Sequence, residues 1–459
     1  MPVSPARRAA FEVLRRIDEE TAYSSSLLAA GDLHLNSRDR ALCHELVLGV
    51  LRRQLWLDRA IEYFSARRID KLDLPVVLAL RLGLYQLRFL SRIPPSAAVN
   101  ESVNLVRQSR LKSAASFANA VLRRATREPE YDPAAITTDQ AEKLAIETSH
   151  PLWLVERWIS QFGFEETSAL AHANNLPAGV VFRFTSKTYA EEQTEAILDK
   201  LRSNGLVLRR SLIARDAWRV LRPGTDHQTQ DDASDATEPQ LVLQQLSEEG
   251  LIYFQDESSQ LVAELVDAQN GERILDVCSA PGSKSTLVST LAPGATVIAG
   301  DLYEHRTRTI KDSALRQAAR NIELAVHDAT SHLPFKNRSF DRVLVDAPCS
   351  GTGTLRHNPE IRWRLQLSDI GKLSAKQKTI LQNAAAMVGP GGLLIYSTCS
   401  LETEENEVVA DDFLESFPDF ERLPLKVPAT SINRGGSVRT WPHREDTDGF
   451  FITAFRRKN

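Results

Sequence analysis

Two apolar runs in the C-terminal third of the chain end in the same pair of residues. "DRVLVDAPCSGTG" places Cys349, and "GGLLIYSTCSLETEEN" places Cys399, each just past a strand-like run and each followed by serine. A thiolate at a strand end, facing a ligand crevice, can act as a nucleophile. One reaction that needs such a group is methylation at carbon 5 of cytosine. Thiolate addition to C6 turns the ring into an enamine, and C5 can then attack an electrophilic methyl. A base removes the C5 proton and the thiol is eliminated. A lone cysteine in such a place is more often a small buried hydrophobe; two at matching strand ends weigh against that reading. Of the four cysteines, Cys43 on an N-terminal helix reads as core and Cys278 as packing beneath a loop. Asp346, three residues before Cys349, suits the exocyclic amine and N3 face of a cytosine, because a carboxylate accepts from an amine that uracil lacks. Residue type and position do not rank Cys349 against Cys399.

A methyl donor needs its own loop. "LDVCSAPGSKS" follows a strand and opens a helix, and its small residues Ser279, Ala280, Gly282 and Ser283 let backbone approach a ligand. The loop matches neither GxGxxG nor GxxxxGK[ST], which disfavours a dinucleotide or a triphosphate. Asp301 closes the next strand, 19 residues after Gly282, where a carboxylate accepts both hydroxyls of a ribose. Asp328, in "VHDA", closes the third strand and suits an adenine amine. Either acid alone is more often a cap or turn residue. Together with the loop, a ribose acid and an adenine acid without a pyrophosphate grip describe S-adenosylmethionine better than NAD. Lys284 either contacts a ligand or merely starts the helix.

These loops require a scaffold of alternating strands and helices, and residues 249–459 supply it. "ERILDVCSA", "ATVIAGD", "IELAVHDA", "FDRVLVDAPC" and "GGLLIYSTCS" are strands with helices between them. That rhythm predicts an α/β, doubly wound, parallel sheet with ligands at the C-terminal strand ends. "DGFFITAFRRKN" predicts an antiparallel hairpin at the sheet edge. Residues 139–248 mix helix and strand in a small α+β subdomain, with "GVVFRFTS", "LVLRRSLI" and "AWRVLR" as strands. Within it, residues 223–239 hold five acids, no bases and no large apolar residue, an exposed acidic loop. Residues 1–138 carry apolar residues at three- and four-residue spacing throughout and predict an all-α bundle. There Ser37 is expected to cap one long helix running through "DRALCHELVLGVLRRQLWLDRAIEYF", and "IPP" breaks the chain between two others.

The formal net charge of −4 does not point to nucleic acid, but its distribution does. Residues 1–128 are net +8 and the remainder −12, with arginine pairs at Arg15/Arg16, Arg52/Arg53, Arg67/Arg68 and Arg123/Arg124. Such asymmetry is expected where one part holds a polyanion, although arginine is also an ordinary residue of solvated helices. Four cysteines in 459 residues, without paired CxxC clusters, give neither a disulfide framework nor a structural zinc. Free thiols fit a reducing cytoplasm. "MPVSPARRAAFEVLRRI" lacks the apolar core of a signal peptide, and no run approaches the ~20 apolar residues of a spanning helix. A monomer without metal or membrane partner is expected.

The motifs resemble the RNA cytosine-C5 methyltransferases of the Sun/Fmu type. "CSAPGSK" looks like their CAAPGGK cofactor loop, "DAPCSGTG" is identical to their second motif, and "YSTCSLETEENE" resembles their ATCSxxxEEN stretch. "VLGVLR", "LGLYQLRFLSRIPPSAAVNESV" and "ANAVLRR" resemble the NusB-like helical RNA-binding domain that precedes the methyltransferase in a bacterial small-subunit rRNA member. The likeness spans essentially the whole chain apart from the acidic loop. It implies a NusB-like domain, an RRM-like subdomain and a Rossmann-like methyltransferase domain, acting with S-adenosylmethionine on 16S rRNA or a small-subunit assembly intermediate. It further implies Cys399 as nucleophile and Cys349 as the thiol that releases product, beside the Asp346 read above as orienting cytosine. Cofactor contacts would fall on Cys278, Ser279, Ala280, Pro281, Gly282, Ser283, Lys284, Asp301, Asp328 and Asp346. Ser279 and Ser283 depart from the family's Ala and Gly, and a positive φ at Ser283 would disturb the loop. A tRNA substrate and a non-catalytic RNA-binding assembly factor are the competing readings. An assembly factor would need neither thiol.

Overall fold

Apolar residues at helical spacing make the first third of the chain a set of packed helices. In the computed structural model, which describes residues 3–20, 22–29, 35–109, 111, 113–221, 238–425, 427 and 436–459, the chain divides into two units. One comprises Met1–Leu176 with Leu355–Arg364; the other holds residues 177–221, Glu238–Thr354 and Leu365–Asn459. The helical unit centres on Leu74–Phe89, whose Val76 through Gln86 are all buried, as expected of a helix apolar on every side. Helices Pro5–Glu20, Ser37–Arg52, Gln54–Ser65, Pro95–Gln108 and Ala114–Arg127 share its core through Leu14, Leu46, Val50, Leu57, Ile61, Val103 and Leu122. Cys43 sits in this core, fully buried, and burial pushes its thiol up to about 12.

The expected long helix is two, interrupted at Arg53, whose φ of −113° leaves the helical range. The cap is Asn36 rather than Ser37: its side chain accepts from the Asp39 backbone N–H at 2.8 Å, so Ser37 becomes the first helical residue. Pro94 and Pro95 do punctuate the chain, as N-cap and first residue of Pro95–Gln108. The arginine pairs divide by role. Arg15 and Arg16 pair with Glu12, Glu19 and Glu20 along their own helix, whereas Arg52 is buried and donates to the Arg356 carbonyl. Arg67 and Arg68 stay exposed and, with Arg59, line a shallow surface recess.

The second unit contains two sheets. Strands β1 (Val180–Phe184), β2 (Val207–Arg210), β3 (Ala217–Leu221) and β4 (Ile252–Phe254) form an antiparallel sheet in the order β2-β3-β1-β4. Helices Glu191–Ser203 and Glu238–Glu248 complete a β-α-β-β-α-β, ferredoxin-like subdomain. Its last strand lies beyond residue 248, so the small sheet continues past the expected end of that region. Residues 223–237 of the acidic loop lie outside the described residues.

The large sheet runs β10 (Phe420–Leu423), β12 (Phe451–Arg457), β9 (Val388–Thr398), β8 (Phe340–Asp346), β5 (Arg273–Asp276), β6 (Thr296–Asp301), β7 (Ile322–Val326), with β11 (Val438–Arg439) paired to β12. Strands β5 to β9 are mutually parallel, and the order reverses between β5 and β8. That is the switch point at which ligands bind in doubly wound sheets. The final strand β12 is antiparallel as expected, but it is not at the edge. It lies between β9 and β10, and Phe451, Ile452 and Phe455 are fully buried there. No described helix is long and apolar enough to cross a membrane.

Candidate active site

At the C-terminal end of β5 the chain turns through residues 277–282 and enters helix Ser283–Leu291. The turn closes on itself: Ser279 Oγ donates to the Asp276 carbonyl at 2.9 Å and the Gly282 N–H to the Ser279 carbonyl at 2.7 Å. Gly282 carries the left-handed backbone, φ +97°, and a Cβ there would meet Ile310 at 3.1 Å. The positive φ therefore falls on Gly282 and not on Ser283, which is the first helical residue. Serine at 283 is thus compatible with the loop.

The groups around this turn fit S-adenosylmethionine, which carries an ammonium, a carboxylate and a ribose diol. Asp276 is buried, its Oδ2 accepts from Ser285 Oγ, and its Oδ1 has no partner, leaving an acceptor for a cation. Burial lifts its pKa to about 6. The first turn of Ser283–Leu291 has no side-chain cap, so its N–H groups are available to a carboxylate. Asp301 ends β6 as expected, 5% exposed, with Oδ2 3.3 Å from the Ala280 N–H. Asp328 differs from expectation. It lies two residues past the end of β7, is exposed, and its Oδ1 accepts from the Thr330 N–H and hydroxyl at 2.9 and 2.7 Å. Those bonds hold its carboxylate below the usual range and make it first a turn residue.

Lys284 and Asp346, read separately from the sequence, meet. Lys284 Nζ is 2.7 Å from Asp346 Oδ2, while Ser397 Oγ donates to Asp346 Oδ1 at 2.8 Å. Each carboxylate oxygen keeps a second lone pair, so Asp346 can still accept from an incoming amine. Strands β8 and β9 are neighbours with Asp346 opposite Ser397, and the chain ends beyond them carry the two cysteines. Cys349 Sγ and Cys399 Sγ are 3.2 Å apart, both thiols free and both half-buried. The hydrogen bond to Cys399, burial and the charge of Glu405 raise the Cys349 thiol well above its usual range. Cys278 is half-buried against the apolar core below its loop; burial, then the nearby carboxylates, raise its thiol as well.

Sequence reasoning missed Asp276, Ser397, Gln377 and Glu405. Asp276 and Ser397 both lie in quoted stretches, "LDVCSAPGSKS" and "YSTCSLETEENE", but at their strand ends, where neither was given a role. Glu405, within "LETEEN", is wholly buried beneath both cysteine loops. Its signals in the sequence were the EEN of the "YSTCSLETEENE" stretch, to which no role was given, and the serine that follows each cysteine.

Comparison with known proteins covers every part of the chain. Residues 263–456 match the family model described as 16S rRNA methyltransferase RsmB/F, residues 4–127 the NusB family, and residues 150–225 the ferredoxin-like domain of RsmF/B-like methyltransferases. A relative from Bacillus subtilis (strain 168), a probable ribosomal RNA small subunit methyltransferase B, is 34% identical over 471 residues, covering 100% of both chains. A ribosomal RNA small subunit methyltransferase B from Klebsiella pneumoniae (MGH 78578) is 31% identical, covering 99% of this chain and 98% of its own. Among solved structures, PH0851 aligns over 100% of both chains with a TM-score of 0.81 and 26% identity.

Proposed function

The chain belongs to the RsmB/F family of 16S rRNA methyltransferases, and from that premise we propose that it forms 5-methylcytosine in small-subunit rRNA through a covalent cysteine adduct. It is a methyltransferase that uses S-adenosylmethionine. The observation that carries the finer reading is the thiol pair, 3.2 Å apart just past the ends of neighbouring parallel strands, with Cys349 three residues beyond Asp346.

When bound, S-adenosylmethionine supplies an electrophilic methyl group. The protein's part is to make cytosine C5 nucleophilic and to hold it still. A target base leaves its stack and enters the crevice. Asp346 accepts from its exocyclic amine, with Lys284 and Ser397 fixing the carboxylate from either side. Cys399 adds to C6 as thiolate, electrons flow to C5, and C5 takes the methyl. Once a base has removed the C5 proton, the C6–S bond breaks and Cys399 leaves. Cys349, within hydrogen-bond reach of Cys399, is placed to return a proton to the departing sulfur. The exposed arginines of the helical unit, Arg67 and Arg68 with Arg59, are suited to RNA phosphates. The setting is the cytoplasm, on free 16S rRNA or on an assembling subunit.

The test combines deproteinised small-subunit rRNA with labelled S-adenosylmethionine and compares wild type, Cys399→Ala and Cys349→Ala. We expect label on cytosine with wild type, none with Cys399→Ala, and a denaturant-stable protein–RNA adduct accumulating with Cys349→Ala. The reverse pattern would exchange the roles of the two thiols. Label appearing on tRNA instead would move the substrate, and label on neither RNA would favour an assembly factor.

A further inference from the structure

Both cysteines of the pair are followed by serine, and the structure gives that repetition a purpose. Ser350 Oγ and Ser400 Oγ lie 2.9 Å apart, and each donates to Oε2 of Glu405 at 2.5 Å. Oε1 of Glu405 accepts from the Ser350 backbone N–H at 2.9 Å and from Gln377 Nε2 at 2.8 Å. Four donors thus converge on two oxygens of a side chain with no solvent exposure. These four hydrogen bonds favour the ionised carboxylate and oppose the burial that raises its pKa.

The clamp extends on both sides. Gln377 also donates to the Pro348 carbonyl at 3.0 Å, just before Cys349. Asn406 brackets Cys399, accepting from Thr398 Oγ1 at 2.5 Å and donating to the Ser400 carbonyl at 2.8 Å. Residues 348–350 and 398–400, far apart in sequence, are therefore tied to one short turn, Thr403–Glu405, and its neighbour Asn406. We infer that Glu405 is a positioning residue that fixes the two thiols at hydrogen-bonding separation, with Cys349 as the proton-bearing partner of Cys399. This rests on the reading of the pair as nucleophile and release thiol.

Electrostatics agree. Among the described residues the ionisable groups that act with Cys349 are Cys399, Glu405 and the buried Tyr396. The negative charge of Glu405 raises the Cys349 thiol and so favours its protonated form.

The test uses the full chain. Glu405→Gln removes the charge at constant size; Ser350→Ala/Ser400→Ala keeps the charge and removes the hydroxyl clamp. Alkylation of each cysteine by iodoacetamide is mapped by mass spectrometry across pH without RNA, and methyl transfer is measured in parallel. We expect Glu405→Gln to lower kcat about 100-fold, the scale of a small misplacement of reacting groups, with KM for S-adenosylmethionine within about twofold. Its Cys349 should alkylate at lower pH than in wild type. The double serine variant should lose kcat without that acid shift. Wild-type kcat and wild-type alkylation profiles in Glu405→Gln would overturn the inference. So would a loss of kcat with the Cys349 profile unmoved and a collapsed melting temperature, the behaviour of a merely structural group. Because alkylation needs no RNA, failure of wild type to methylate cytosine would count against the proposed reaction and leave the clamp to be judged by its pH profile.

Discussion

At the scale of single residues, Gly282 and Asp276 make separable predictions. Gly282 holds φ +97° against Ile310, so Gly282→Ala strains the cofactor turn by about 1–2 kcal/mol and should weaken S-adenosylmethionine binding by roughly tenfold, read by calorimetry. Ser283→Gly should leave binding unchanged, because that position is ordinary helix. Asp276 has its pKa lifted by burial to about 6. An acid whose pKa is higher folded than unfolded keeps its proton longer in the folded chain. Stability therefore falls as pH rises from about 4 to about 6, by about 3 kcal/mol in all. Asp276→Asn should flatten the melting temperature between pH 4 and 7, and a curve as steep as wild type would assign the slope to other groups. The glycine and the acid stand in plain view in "LDVCSAPGSK". Their conformations do not, because a dihedral and a desolvation depend on what packs around them.

At the scale of elements, Arg183 is the clearest case. It sits on β1, fully buried, and donates to Gln255, to the Ser283 carbonyl, to Thr286 and to Gln317. No carboxylate hydrogen-bonds it among the described residues, and burial lowers its pKa to about 10. It still carries its charge at neutral pH and binds the small sheet to the first turn of the cofactor helix. Arg183→Met leaves those acceptors without a donor, so we expect a loss of about 2–4 kcal/mol in denaturant unfolding together with weaker cofactor binding. Unchanged cofactor affinity would show that β1 does not support the loop. From the sequence, "GVVFRFTS" was legible as a strand by its apolar residues. The importance of its one arginine was hidden, because its partners lie 72 to 134 residues away. The last strand shows the same limit. Its antiparallel entry was legible, but its place between β9 and β10 depends on pairing that no local pattern encodes.

At the scale of the molecule, the chain's order is not its packing. Leu355–Arg364 follows the Cys349 loop in sequence yet belongs to the helical unit. There Arg362, fully buried, donates to the carbonyls of Thr148 and Ser149 and to Asn175, and Glu360 accepts from the Ser24 N–H and hydroxyl. Arg362→Met should lower the full-length melting temperature by several degrees, since it strands buried acceptors. A fragment of residues 177–459 should bind a hydrophobic dye that the intact chain excludes, because its Leu355 and Trp363 lose their packing. Absence of dye binding would show that the segment refolds without the helical unit.

The sequence by itself determined most of the helices and strands, the strand–helix alternation that makes the C-terminal region doubly wound, the cofactor turn, and the presence of two cysteines just past strand ends. Those features are written in periodicities of two and 3.6 residues and in short loop motifs, which act over a few neighbours. Tertiary structure alone decided that the two thiols lie 3.2 Å apart, that Lys284 pairs with Asp346, and that Glu405 holds both Cys-Ser steps. Each of those depends on neighbouring strands, chiefly β8 and β9, bringing their C-terminal ends together. Strand register sets their distances, and it is fixed by the packing of the whole sheet rather than by any one run of residues.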